Sequence, residues 1–116
     1  MTGLLHRRGI VYLTAVLLCS AQILYAEVTG SISGTVVDPT GAAVANANVT
    51  LRNANTGLQR QVKTNASGDY EFLSVPVGDN YSVQVEASGF QPTIQTGIKL
   101  DVNQKYRADF NLKASQ

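Results

Sequence analysis

The side chains best suited to chemistry sit where a mature protein would not keep them. The 116 residues hold one histidine, His6, and one cysteine, Cys19. Imidazole is the usual general base near neutral pH, and thiolate is the usual nucleophile and soft-metal ligand. Both residues lie ahead of Glu27, so the rest of the chain has only carboxylates, amines, amides and hydroxyls to work with.

The carboxylates do not assemble into a site at this level. Asp38, Asp69, Asp79 and Asp101 could offer oxygen ligands, but a calcium loop needs several such ligands at close, set spacing, and three of the four stand at loop margins. They read as turn-forming aspartates. Asp69 and Glu71 share one strand face roughly 7 Å apart, a separation glycosidases use. That face is expected to be solvent, with no cleft to tune an acid. Lys63 and Lys99 are predicted to point outward. Asn48-Val49-Thr50 and Asn65-Ala66-Ser67 fit the N-glycosylation pattern, which matters only in a host with that machinery. No residue is therefore expected to be catalytic, cofactor-binding or metal-binding, and no cofactor is expected.

The opening stretch has the layout of an export signal. His6, Arg7 and Arg8 precede the apolar run Ile10 to Cys19, which leads into small residues. Cleavage fits after Ala26 and also after Ala21, where Cys19-Ser20-Ala21 is the closer match to the usual small-residue pattern; the reading adopted is Ala26. An uncleaved anchor is the alternative, since Ile10 to Ala26 approaches the roughly 20 residues of a spanning helix but contains Thr14, Ser20 and Gln22. Leu18 argues against lipidation at Cys19, and the surroundings of Arg7-Arg8 lack the rest of a twin-arginine pattern. Domains are thus expected at 1–26, a signal peptide helix, and 27–116, one folded unit. Removing the leader takes away His6, Cys19 and two basic residues. Seven basic against eight acidic residues remain, a formal charge of −1 with no runs. Nucleic acid and anionic membrane both ask for a basic patch, so neither is an expected partner.

From Thr29 onward the chain has period two, with Val, Ile, Tyr, Phe and Thr segments broken by Gly, Asn, Asp and Pro. Ser31 to Asp38 places Ile32, Gly34 and Val36 on one face, and Asp38-Pro39-Thr40-Gly41 turns the chain. Val49 and Leu51 face inward on the next strand. Leu58 to Thr64 alternates weakly, because Arg60 shares a side with Leu58 and Val62, and reads as an edge strand. Tyr70 and Phe72 face inward, as do Tyr81, Val83, Val85 and Ala87. Ile98, Leu100 and Val102 repeat the scheme, followed by Tyr106, Ala108, Phe110 and Leu112, with Asn103-Gln104 as a tight turn joining those two strands in an antiparallel hairpin. Gly41, Gly68, Gly78 and Gly89 are read as turn glycines with positive φ. About seven short strands in this length is the density of a sandwich.

The ordered string G-T-V-V-D-P-T-G-A-A-V at 34–44, A-N-V-T-L at 47–51, T-N-A-S-G-D-Y-E-F at 64–72, V-P-V-G and Y-S-V-Q-V-E-A-S-G-F resembles the carboxypeptidase regulatory-like domain family. The resemblance runs from about Ser31 to Leu112. It implies an all-β fold: a seven-stranded antiparallel Greek-key β-sandwich of the prealbumin (transthyretin) type, usually an accessory module, and in bacteria similar to the N-terminal extension of TonB-dependent outer-membrane receptors. At Gly78-Asp79-Asn80-Tyr81 the chain has one residue more than many members, which leaves the register ahead of Tyr81 open.

The expected function is that of a non-enzymatic, exported binding module, in the periplasm, at the outer membrane or secreted. Its expected partner is a protein of the envelope, taken up at a sheet edge, with Leu58 to Thr64 and the final hairpin as the candidate edges. A small-ligand or carbohydrate binder using the loops at Pro39-Thr40-Gly41, Ser67-Gly68 and Val77-Gly78-Asp79 is the alternative, and a remnant of a longer receptor gene is another. A flat sugar platform is not expected, because Tyr70, Tyr81 and Tyr106 have inward phase and the chain has no Trp. The membrane enters only through an uncleaved leader.

Overall fold

The computed structural model describes residues 28–116; the signal peptide read at 1–26 lies outside the described residues. The strands are β1 (Thr29–Val37), β2 (Asn48–Asn53), β3 (Gln59–Lys63), β4 (Asp69–Pro76), β5 (Gly78–Glu86), β6 (Thr93–Leu100), β7 (Lys105–Arg107) and β8 (Phe110–Asn111). One sheet has the order β4-β1-β7, with β8 also pairing β1, and the other has the order β3-β2-β5-β6. The core between them is built from the phases legible in the sequence: Ile32, Val36, Val49, Leu51, Tyr70, Phe72, Tyr81, Val83, Val85, Ile98, Leu100, Ala108, Phe110 and Leu112 are all buried.

Three details differ from the sequence reading. Among the described residues there are eight strands, because the last one is interrupted between Arg107 and Phe110. The sandwich is not wholly antiparallel: Ser31–Ser33 pair in parallel with Lys105–Arg107, and Val36–Val37 in parallel with Phe110–Asn111. The last two long segments form no hairpin with each other. The turn at Asp101–Gln104 exists, closed by the Gln104 N–H on the Asp101 carbonyl at 3.2 Å. However, the Asn103 N–H reaches the Thr29 carbonyl at 2.9 Å and the Ser31 N–H reaches the Gln104 carbonyl at 2.8 Å. These bonds carry the chain across to β1 in the opposite sheet, and Val102, at the corner, is 58% exposed rather than inward.

Bulges absorb the irregular spacings. Gly30 pairs with Val75 and Ile32 with Phe72, so β4 carries one extra residue, with Ser74 at a φ of 52°. The added residue at Gly78-Asp79-Asn80-Tyr81 is likewise a bulge: Gly78 pairs with Leu100 and Tyr81 with Ile98, with Asn80 at a φ of 63°. Gly78 itself lies in β5 without a positive φ, unlike Gly41, Gly68 and Gly89, which take the turn conformation. Bulges of this kind raise twist locally and keep the inward phase in step on either side.

Two buried polar residues tie the loops down. Thr64 accepts the Ala47 N–H on its hydroxyl at 2.9 Å and donates to the Val44 carbonyl at 2.6 Å. Asn53, 4% exposed, accepts the N–H groups of Asn55 and Thr56 on Oδ1 and donates Nδ2 to the Asp79 carbonyl at 3.2 Å. It thus fixes both the β2–β3 loop and the β5 bulge. Asn53→Ala is expected to lower stability by about 2 kcal/mol, because three partner groups lose their bond. Asn53→Asp, which keeps the acceptor, should lose less; urea denaturation of both variants checks the order.

Candidate functional site

The carboxylates singled out in the sequence are spread over the surface. Asp38 closes its own turn: Oδ1 accepts the Thr40 hydroxyl at 2.6 Å, the Thr40 N–H at 2.8 Å and the Ala42 N–H at 3.0 Å. The Thr40 hydroxyl, helped by these backbone donors, holds the Asp38 carboxyl below the usual carboxylate range. A lowered folded-state pKa stabilises the fold above the unfolded-state pKa, and that contribution is lost as the pH falls through the folded value. The gap in melting temperature between the parent and Asp38→Asn should therefore be widest near neutrality and close under acid conditions, which a thermal melt series across pH measures.

Asp69 and Glu71 lie on the exposed outer face of β4, as the alternation indicated. Asp69 accepts the Thr35 hydroxyl at 2.6 Å. Beside it Asp109 accepts the Thr35 N–H at 2.8 Å and pairs with Arg107 at 3.2 Å, an ion pair exposed on both sides and so of little energetic weight. Asp79 is in the β5 bulge and Asp101 at the corner before β7. Among the described residues no three His, Cys, Asp or Glu side chains are gathered to hold a metal ion.

Lys63 and Lys99 do point outward. The sheet places Asn48 between Lys63 on β3 and Glu86 on β5 in one cross-strand row, so an amine, an amide and a carboxylate do meet. They meet on the solvent face, with Lys63 and Glu86 exposed, whereas amide condensation needs a desolvated pair. Tyr70 and Tyr81 are buried and Tyr106 is half-buried, with its hydroxyl accepting Gln95 Nε2 at 3.0 Å. Burial, with the Asp109 carboxylate adding to it, pushes the Tyr70 phenol well up. It stays protonated and donates to the Ala108 carbonyl.

The candidate loops divide between the two ends. Pro39-Thr40-Gly41 and Ser67-Gly68 lie together, since the Val36 N–H bonds the Gly68 carbonyl and the Asp38 N–H the Ala42 carbonyl. Val77-Gly78-Asp79 lies at the other end, where the Val77 N–H meets the Val28 carbonyl. At the first end an open depression of about 420 Å³ is lined by Asn46, Asn48, Glu86, Ser88, Phe90 and Pro92. Sequence reasoning passed over it, although an asparagine just ahead of a strand, here Asn46 at a φ of 58°, signals such a turn.

The sheet edges differ in how they are protected. β3 is an edge, as its weak alternation indicated, and its inward Arg60 spans to the opposite sheet: Nη1 donates to the Leu73 carbonyl at 2.8 Å and the guanidinium lies 5.8 Å from the Phe72 ring centre. An inward charge and short length blunt an edge. β4, the edge facing it, carries Asp69, Glu71 and a bulge. On the far side β7 and β8 are short and interrupted. β6 is the remaining edge, eight residues long with Lys99 as its one charge and Ile94 54% exposed on its outer face. The two segments of the expected final hairpin are both edges, but of different sheets.

Residues 31–113 match the family model of the carboxypeptidase regulatory-like domain. The TonB-dependent transporter Oar of Myxococcus xanthus is 29% identical over 112 residues, which cover 96% of this chain and 10% of that protein. The chain thus spans about a tenth of the length of that relative. Among solved structures, the fold is similar to the Bacillus anthracis TIE protein (TM-score 0.64, 18% identity, 76% of this chain and 17% of that one). It is also similar to catechol 1,2-dioxygenase from Pseudomonas arvilla C-1 (TM-score 0.65, 15% identity, 79% and 54%). A carbohydrate-binding protein assignment attaches to a third, from Bacteroides uniformis (TM-score 0.58, 21% identity, 72% and 41%). At these identities the structural likenesses concern the fold alone.

Proposed function

Because the chain belongs to the carboxypeptidase regulatory-like domain family, we propose that it is a non-enzymatic accessory module of the cell envelope that takes up a protein partner at the open edge of β6. In this reading residues 1–26 are an export signal and 27–116 the module. The relation to a TonB-dependent transporter supports an envelope location. Non-enzymatic action is supported by the carboxylates, which serve turns or stand on open sheet faces, and in this reading cleavage would also remove His6 and Cys19.

The observation that carries the proposal is the asymmetry of the edges. Arg60 laces β3 to β4, while β6 presents a nearly uncharged backbone edge and the exposed Ile94. An extended segment added there gains main-chain hydrogen bonds, and Ile94 supplies an apolar contact. Ile94→Lys places a charge on that edge with little effect on folding, since the side chain is already exposed. A photo-crosslinker at Thr96 in the full chain, expressed in its host, should give a discrete adduct that Ile94→Lys abolishes. An adduct of equal yield from Thr50, in the middle of the sheet face, would overturn the edge as the contact. Hydrolytic turnover by the full chain would overturn the non-enzymatic part.

A further inference from the structure

We infer that the depression between the start of β2 and the loop after β5 is a second, independent binding site, and that its ligand is an uncharged polyhydroxylated molecule, a neutral glycan. It is distinct from the β6 edge in residues and in chemistry, so either can fail without the other.

The lining is matched to hydroxyl groups. Asn48 and Glu86 are direct cross-strand partners, with Asn46 two residues before Asn48 and Ser88 two residues after Glu86. Among the described residues, the side chains of Asn46, Asn48 and Ser88 make no hydrogen bond, and Glu86 spends only Oε1, accepting Gln84 Nε2 at 3.1 Å. Two amides, a hydroxyl and a carboxylate oxygen therefore remain with unused donors and acceptors on one wall. A vicinal diol, which donates and accepts from adjacent carbons, can pair with an amide or carboxylate at two points. Among the described residues no lysine or arginine lines the depression, Lys63 beyond Asn48 lying outside it, which disfavours phosphate, sulfate or an acidic peptide. A single carboxylate gives too little charge and too few fixed oxygens for a hard cation.

A second part of the lining is apolar. Phe90 packs half-buried against the core, with Pro92 beside it. An aromatic surface next to a few convergent polar groups suits a ring with C–H faces and hydroxyl rims.

Both walls are held in place before any ligand arrives. The Asn46 N–H bonds the Thr64 carbonyl at 3.0 Å, and the Ala47 N–H bonds the Thr64 hydroxyl. On the other side the Phe90 N–H bonds the Ala87 carbonyl at 3.1 Å. The C-terminal segment clamps the same loop, through the Gln91 N–H on the Lys113 carbonyl at 2.8 Å and the Ser115 N–H on the Gly89 carbonyl at 3.0 Å. Walls so fixed lose little entropy on binding. The open shape admits an internal unit of a chain as readily as its end.

The test is an amide NMR titration of the full chain with four neutral trisaccharides: maltotriose, cellotriose, laminaritriose and chitotriose. At least one should give saturable shifts centred on Asn46–Asn48 and Glu86–Gln91. Asn48→Ala and Glu86→Gln, both outward-facing, should each weaken that binding about tenfold, one lost charge-assisted or paired hydrogen bond, while amides elsewhere stay in place. Shifts from none of the four sugars, shifts centred away from these residues, or binding unchanged in both variants would each overturn the inference.

Discussion

Gly34→Ala should leave the domain unfolded. Gly34 sits on the inward face of β1, between Ile32 and Val36, and a Cβ built there lies 1.8 Å from the Ala108 carbonyl oxygen, 2.7 Å from its carbon and 2.8 Å from the Tyr70 hydroxyl oxygen. The obstacle is backbone that cannot step aside. The Ala108 N–H is bonded to the Ser33 carbonyl at 2.8 Å, and parallel pairing holds the chain on either side of it to β1. Relief would require separating β1 from β7 and β8. The cost should exceed about 4 kcal/mol, in the range reserved for severe core disruption, against a net stability on the order of 5 kcal/mol for a small domain.

A companion variant distinguishes the cause. Tyr70→Phe alone removes the hydroxyl bonded to the Ala108 carbonyl and should cost about 1 to 3 kcal/mol. Adding it to Gly34→Ala should rescue nothing, because the closest atom belongs to Ala108. Circular dichroism melts would contradict this account if Gly34→Ala kept a cooperative transition within a few degrees of the parent.

Phe72→Ala is the second large effect, at about 4 kcal/mol. Phe72 is fully buried and meets the Tyr70 ring edge-on, with centroids 5.9 Å apart at 64°. Its ring also lies beneath the Arg60 guanidinium, so truncation opens a cavity and removes the platform that holds Arg60 across the sheets. Phe72→Leu, which keeps most of the volume, should lose about 1.5 kcal/mol or less. The two variants separate in denaturant midpoints. Hydrogen exchange should also rise along β3 in Phe72→Ala, since Arg60 is what ties that edge to Leu73. Unchanged exchange in β3 would mean that pairing with β2 alone keeps that edge closed.

The edge and the depression answer different physical needs. An edge offers repeated backbone donors and acceptors and suits an extended chain. The depression offers side-chain groups at fixed positions and suits a compact ligand. The sequence pointed to Leu58–Thr64 as an edge because Arg60 broke the apolar phase there. The structure explains that same residue as protection, with its guanidinium closing the seam to β4, and leaves β6, the first segment of the expected final hairpin and the other candidate edge, as the open one. Nothing local in Thr93 to Leu100 could have ranked it above Leu58–Thr64, because exposure of an edge depends on what stands beside it.

The sequence by itself determined the class of fold, the inward face of nearly every strand and the positions of the turns. Alternation is a property of one strand, and Ile32, Leu51, Phe72, Val83 and Leu100 face the core whichever strands flank them. Turn chemistry is equally local, as at Asp38 with Thr40 and at Gly68 with its positive φ. Tertiary structure alone decided the pairing. Tyr106 to Leu112 have the phase of a core strand, and hydrogen bonds between this stretch of chain and β1, from the Asn103, Ser31, Ala108 and Leu112 N–H groups, draw them to β1 in parallel instead of back onto β6. It also decided which loops share an end, and that Asn46, Asn48, Glu86 and Ser88, forty residues apart in two groups, line one depression. Period two records which way a side chain faces; it carries no information about its neighbour on the next strand, which is chosen by hydrogen bonding and closure over long stretches of chain.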